Sequence, residues 1–285
     1  MTTAVAAPYR IFSLQVVRTR RLSPSLVRVT FAGGDLSSFA SDGLDQSLSL
    51  FLPRPGQEKP VLPLEYGEGW REAYLGIPED VRAVMRSYTL RALRRDAQGL
   101  TTEIDIDFVL HGTEPEAATP AGPASRWAAD AEAGDHVALI GPAVADNGAI
   151  RFRPPADTDL VVMWADETAL PAAAAILESL PTGTRARVWL EVPHAGDRLE
   201  LSTDADAEIT WLVRDEGSPT ALDAIRSAQL PPAQSPYAWI SGEAGCVKEL
   251  RRHLVHEREI DRRRVRFVGY WRLGLTEDQR LEQGE

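Results

Sequence analysis

The rhythm of the chain changes once, and that change limits the possible folds more than any other feature. Before Arg153-Pro154-Pro155 the sequence is a series of short β-prone segments. These are Ile11–Thr19, Leu26–Phe31, Ser47–Leu52, Arg86–Leu93, Thr101–Leu110, Val137–Ile140 and Ala149–Phe152. They carry β-branched or alternating apolar residues, with Gly, Pro, Asp and Ser between them and no helical spacing. That pattern predicts an antiparallel barrel. After the prolines, Leu160–Trp164 is an apolar run of the kind a buried parallel strand shows. Leu170, Ala173, Ala174, Leu177 and Leu180 then share one helical face. Strands at Val188–Val192, Ile209–Val213, Tyr237–Ile240 and Val265–Val268 alternate with helices around Thr220–Ser227 and through Val247, Leu250 and Leu254. Strands alternating with helices predict a doubly wound parallel sheet. At about 150 residues per domain, a chain of 285 residues fits two. We place them at 9–154 (barrel) and 155–274 (α/β), with 275–285 as a tail. Pro53–Val84 holds five prolines and reads as a long loop with at most a short helix, the kind of loop that covers a site. Thr113–Ala121 is a second, shorter loop.

Several function classes are disfavoured at once. The single cysteine, Cys246, excludes a disulfide framework and a cysteine-ligated iron–sulfur cluster within the chain; it reads as a core residue. No run approaches the roughly 18 apolar residues of a membrane span. Met1–Arg10 lacks a basic head followed by an apolar stretch, so no secretory signal is expected, and the expected setting is a cytoplasmic monomer. A net charge of −11 disfavours nucleic acid as a partner. The segment Lys248–Arg272 runs the other way, with nine basic against four acidic residues. It fits either a solvated face or a local anion site. There is no G-x-S-x-G elbow, no H-E-x-x-H, no Walker motif and no Cys/His cluster with metal spacing. His253 and His256, three apart on a helix, read as a solvated face beside arginines.

Four blocks carry potential chemistry. In Arg86-Ser87-Tyr88-Thr89-Leu90-Arg91, Arg86 and Tyr88 share a strand face. An Arg can take a phosphate in bidentate fashion, a Tyr ring can stack on a planar ligand, and the Thr89 hydroxyl can donate or accept. By itself the motif reads as a surface strand. Gly122-Pro123-Ala124-Ser125-Arg126-Trp127-Ala128 is a loop turning into a helix. Pro123 suits its first position, and the free amides behind it are a potential pyrophosphate site or simply a capped helix end. Asp166-Glu167-Thr168-Ala169-Leu170-Pro171 and Ser241-Gly242-Glu243-Ala244-Gly245 each follow a strand of the α/β half. Open α/β sheets bind ligands at that edge, although either block is equally an ordinary strand–helix turn.

Together, with Asp107-Phe108-Val109-Leu110-His111-Gly112 and Gly269-Tyr270-Trp271-Arg272-Leu273-Gly274, these blocks resemble the siderophore-interacting protein family. These are flavin-dependent ferric-siderophore reductases of the ferredoxin–NADP reductase superfamily. The resemblance runs from about Phe12 to Gly274. It implies an FAD-binding barrel domain and an NAD(P)H-binding α/β domain. It implies that Arg86, Ser87, Tyr88 and Thr89 hold the flavin and its phosphate. Asp107, Val109, His111, Gly122, Pro123, Ala124, Ser125 and Trp127 hold the pyrophosphate and its flank. Asp166, Glu167, Thr168, Gly242 and Glu243 line the nicotinamide nucleotide site. Tyr270 and Trp271 close over the flavin, and Arg272 faces the iron chelate. Two departures stand out. The strand Ser47–Leu52 lacks the lysine often found in the family, leaving Arg54 as the nearest cation for substrate. A late strand ends Ser241-Gly242 where wider relatives have Cys-Gly. The implied activity passes electrons from NADPH or NADH through FAD to a ferric siderophore and needs no catalytic acid or base from the protein. The alternatives are a reductase exchanging electrons with a ferredoxin-like protein and a non-enzymatic siderophore binder.

Overall fold

A computed structural model describes residues 7–63, 67, 69–113, 120–275 and 279. Most of the expected 275–285 tail, and the centre of the Thr113–Ala121 loop, lie outside the described residues. The chain divides into two compact units, residues 1–22 with 26–150, and 23–25 with 151–285.

The first unit is one curled antiparallel sheet of seven strands. They are β1 (Tyr9–Ser23), β2 (Leu26–Ala32), β3 (Ser47–Leu52), β4 (Val84–Thr89), β5 (Ala92–Arg95), β6 (Thr101–Val109) and β7 (His136–Pro142), in the order β4-β3-β7-β1-β2-β6-β5. The sheet curls far enough for a residue of the edge strand β4 to touch β6: the Tyr88 and Phe108 rings lie 4.4 Å apart. Alternation sets the interior. Ile104, Ile106 and Phe108 of β6 are fully buried with Phe12, Val29, Phe31 and Leu50. The intervening Asp105 and Asp107 are also buried, which their partners permit. Arg28 pairs with Asp107 at 2.7 and 2.8 Å, while Thr30 and Arg94 donate to Asp105. Two helices flank this sheet, α1 (Trp70–Leu75), the short helix of the long loop, and α2 (Pro123–Asp130).

Two expectations are corrected here. Arg86–Leu93 is not one strand. Leu90 N donates to Gln46 O and Arg91 N to Asp105 O, so the chain leaves β3 for β6 and splits into β4 and β5. Ala149–Phe152 is not a strand at all. The Asn147 side chain accepts from Ala149 N and donates to Val144 O and Ala145 O, which closes a turn. The alternation of Ile150 and Phe152 reflects burial without strand pairing.

The second unit is a five-stranded, all-parallel sheet. Its strands are β8 (Leu160–Ala165), β9 (Arg185–Val192), β10 (Asp206–Val213), β11 (Pro236–Glu243) and β12 (Val265–Trp271), in the order β10-β9-β8-β11-β12. Helices α3 (Leu170–Ser179), α4 (Ala221–Ser227) and α5 (Ala244–His256) connect them. Every residue of β8 is buried, as a central parallel strand requires. The strand order reverses between β8 and β11, and the crevice beyond that switch point is where such sheets take ligands.

Candidate functional site

In the first unit the structure brings two of the sequence blocks together. The Tyr88 ring of β4 packs on Phe108 of β6, and Phe108 lies 5.6 Å from Trp127 of α2, which in turn stacks on Phe31. Phe108 is the hinge of this aromatic chain and was not singled out from sequence. Ser125 joins the same elements, since its hydroxyl donates to Val109 O and accepts from His111 N. That hydroxyl is therefore engaged inside the protein. Ala124 is buried, while Pro123 and Trp127 are half-buried and Gly122 caps the helix. On β4, Thr89 is buried, Arg86 and Tyr88 are half-buried and Ser87 is exposed. Asp107 is held by Arg28, with Arg91 at 3.8 Å. Arg54 donates through Nε to Arg82 O.

In the second unit Asp166 is the centre. Its carboxylate is buried at the end of β8 and accepts five hydrogen bonds. Thr168 N, Thr168 Oγ1 and Ala169 N donate to Oδ1 at 2.9, 2.5 and 3.2 Å. Glu243 N and the Trp271 indole Nε1 donate to Oδ2 at 2.8 and 2.7 Å. One side chain thus ties together the carboxyl ends of β8, β11 and β12. Gly242 makes this possible. Its φ is +148°, and a Cβ there would stand 2.5 Å from Asp166 Oδ2 and 2.8 Å from the Trp164 ring. Burial, reinforced by the neighbouring Glu167 charge, pushes the Asp166 carboxyl up to about 6. The Glu243 carboxylate caps α5 through Cys246 N and accepts from Leu273 N. Glu167 is buried against Arg214. Tyr270 and Trp271 are half-buried, and Arg272 is exposed.

A cavity of about 540 Å³ opens beside this cluster, at the carboxyl ends of β9, β10 and β11. Glu191, Arg214, Thr220, Glu243, Cys246 and Glu249 line it. Cys246 is therefore half-buried at a cavity wall, which corrects the core assignment: it sits on the first turn of α5, where the helix faces the crevice. Burial holds its thiol up at about 12, so it is inert. His253 is corrected in the opposite sense. It is buried, bonded to Glu257 and Arg258, because it lies on the same face of α5 as Leu250 and Leu254. A slightly larger cavity in the first unit, about 570 Å³ around Gln15, Gly33 and Leu100, contains none of the residues singled out from sequence.

The chain matches the description "Siderophore-interacting FAD-binding domain" over residues 15–146 and "Siderophore-interacting protein" over 158–274. It belongs to the siderophore-interacting protein family. The ferric vibriobactin reductase ViuB of Vibrio cholerae is 34% identical over 273 residues, 95% of this chain and 92% of the relative. The NADPH-dependent ferric-chelate reductase of Escherichia coli is 30% identical over 92% of this chain and 93% of its own. Among solved structures, a siderophore utilization protein from T. fusca superimposes with a TM-score of 0.74 at 33% identity, covering 96% of this chain and 97% of its own. The fold is that of this family.

The residues of the first unit fit FAD. Helix α2 has Gly122 as its N-cap and no capping side chain, and a Cβ at Gly122 would meet nothing within 4 Å. The N–H groups of Ala124 and Ser125, the first after Pro123, lie at the positive end of the helix dipole, which suits an anionic group. Half-buried Arg86 and Tyr88 offer a cation and a ring.

Proposed function

We propose that this chain is an FAD-dependent ferric-siderophore reductase using NAD(P)H, with 9–154 as its flavin domain and 155–274 as its nicotinamide nucleotide domain. The observation that carries this reading is the match to both parts of the family, in order, on a chain whose first unit presents an uncapped helix N-terminus. The length and names of the two reductase relatives support it.

Bound FAD would convert a two-electron reductant into single electrons suited to ferric iron. The protein's part is to bind and orient. Arg86 and the α2 amides hold the phosphates, and Tyr88 offers its ring to the isoalloxazine. The Ser125 hydroxyl keeps α2 in register with β6, and Asp166 holds Trp271 in place. Arg272 and Arg54 supply positive charge to an anionic chelate. Ferrous iron carries less charge and binds hard oxygen ligands more weakly, so reduction itself loosens the chelate. No acid or base is required of the chain. Among the described residues no helix is long and apolar enough to cross a membrane, and a cytoplasmic monomer acting on imported chelate fits this role.

The test uses purified protein supplied with FAD, NADH or NADPH, a ferric siderophore and a ferrous-iron trap. Saturable Fe(II) release supports the reading. A protein that takes up no FAD overturns it, and release that depends on an added ferredoxin moves it to a protein-coupled reductase.

A further inference from the structure

The cavity at the carboxyl ends of β9, β10 and β11 is acidic. It contains three carboxylates, Glu191, Glu243 and Glu249, against one guanidinium, Arg214. We infer that Glu191 and Arg214 make this chain selective for NADH over NADPH. The inference rests on the reading of residues 155–274 as the nicotinamide nucleotide domain.

Position is the first argument. β8-α3-β9 is the first strand–helix–strand unit of the sheet, and Glu191 is the penultimate residue of its second strand. In doubly wound folds an acid at that place accepts the ribose 2′- and 3′-hydroxyls, whereas a cation nearby accommodates a 2′-phosphate. Glu191 is partly exposed, with 21% of its side chain accessible, and faces the cavity.

The second argument is the state of Arg214, the one guanidinium among the described residues that line the cavity. Arg214 donates through Nη1 and Nη2 to the two oxygens of Glu167, at 2.9 and 2.6 Å, and through Nη1 to Glu191 Oε1 at 3.2 Å. Glu167 is almost wholly buried, with 4% of its side chain accessible, so it cannot swing aside. Releasing Arg214 to a phosphate would leave that buried carboxylate without its cation. The guanidinium is thus fixed and neutralised before any ligand arrives. A 2′-phosphate would bring nearly two further negative charges into a cavity whose spare charge is already negative. A ribose diol is uncharged, and its hydroxyls can donate to carboxylates.

Sequence reasoning could have found Glu191 from one signal, an acid at the end of the second strand of the α/β half. The functional contribution of Arg214 was not legible there, because it depends on Glu167 being buried beside it.

Two ligands that differ only by the group in question provide the test. Adenosine 5′-monophosphate and adenosine 2′,5′-bisphosphate are titrated into the purified flavoprotein by calorimetry. The monophosphate is expected to bind about tenfold or more tightly, the scale of a like-charge clash in a half-buried site. The kcat/KM ratio for NADH over NADPH should follow the same order. Glu191→Gln should bring both ratios toward one, and raised ionic strength on the native protein should do the same by screening. Equal or tighter binding of the bisphosphate to the native protein overturns the inference. If NADPH is the better reductant while iron is still released, only this selectivity falls. If neither nucleotide reduces the flavin, the functional reading beneath it falls as well.

Discussion

Replacing Asp166 by asparagine sets two large effects against each other. The native carboxylate accepts from five donors, three on Oδ1 and two on Oδ2. An amide keeps one acceptor oxygen. Retaining the three bonds at Oδ1 turns the NH₂ group toward Glu243 N and Trp271 Nε1, and two buried donors lose their acceptor. Each buried donor left without an acceptor costs about 1–3 kcal/mol, so about 2–6 kcal/mol in all. In the other direction, the carboxyl is raised from 3.8 to about 6 by burial and by Glu167. Each pKa unit is worth about 1.4 kcal/mol, so the buried charge costs the fold about 3 kcal/mol at neutral pH, and Asp166→Asn removes that cost. The two oppose each other, and the net loss is no more than about 3 kcal/mol. Thermal unfolding at neutral pH should therefore fall by no more than about 10 °C. The Trp271 indole, however, loses its anchor, and reduction of the flavin by nicotinamide nucleotide should slow about tenfold, as expected when a positioning contact is lost. The pH dependence supplies a further sign. A folded-state carboxyl raised above its unfolded value contributes stability that is complete below about 4 and is lost as pH rises through about 6. Urea unfolding of Asp166→Asn should lack that decline between pH 4 and 6. A loss of more than about 4 kcal/mol would refute this balance. Unchanged hydride-transfer kinetics would show that Trp271 does not depend on this anchor.

Tyr88→Ala should weaken FAD binding by about 1–3 kcal/mol, the value of one aromatic stacking surface, while the fold survives; unchanged affinity in a flavin titration would remove Tyr88 from the site. Arg272→Ala should raise the apparent KM for an anionic ferric chelate more than for a neutral one, and added salt should mimic it; equal losses for both chelates would assign Arg272 a structural role. Burial raises the Asp105 carboxyl, but hydrogen bonds from Arg94 and Thr30 outweigh it and hold the group below its ordinary value. Its contribution is present above about pH 4 and lost as pH falls below that. Asp105→Asn should flatten this acid-side loss in urea titrations, and an unchanged acid limb would place the loss elsewhere.

The elements most legible in the sequence are those whose pattern and pairing agree. The alternating segment Ser47–Leu52 coincides with β3, and the apolar run at Leu160 and the helical face from Leu170 coincide with β8 and α3. Where a single side chain redirects the backbone, periodicity misleads, as at Asn147, whose turn removes a strand from an alternating segment. The candidate site divides in the same way. Residue types showed which blocks mattered, but not which polar groups the protein uses internally. The carboxylate of Asp166, the hydroxyl of Ser125 and the Asp107–Arg28 pair are joined by partners distant in sequence, and no local spacing encodes such pairings. Phe108 is not legible as a site residue because a buried aromatic on a strand looks like ordinary core until Tyr88 and Trp127 close on it.

The arginines of the C-terminal half also bear on how the molecule behaves in a crowded solution. β12 stands last in its sheet, and no further strand of the described residues pairs with its outer edge. Val265–Trp271 is β-prone and aromatic and carries a single charge, Arg266. A segment of that kind, left as an edge, invites strand addition from a second molecule. Phe267 is 48% exposed, yet the Arg251 guanidinium lies over its ring at 4.5 Å. A cation above the ring and another beside it on the strand make stacking of a second copy unfavourable. On this edge the positive charge acts as a gatekeeper against self-association, whatever ligand the rest of the basic segment serves.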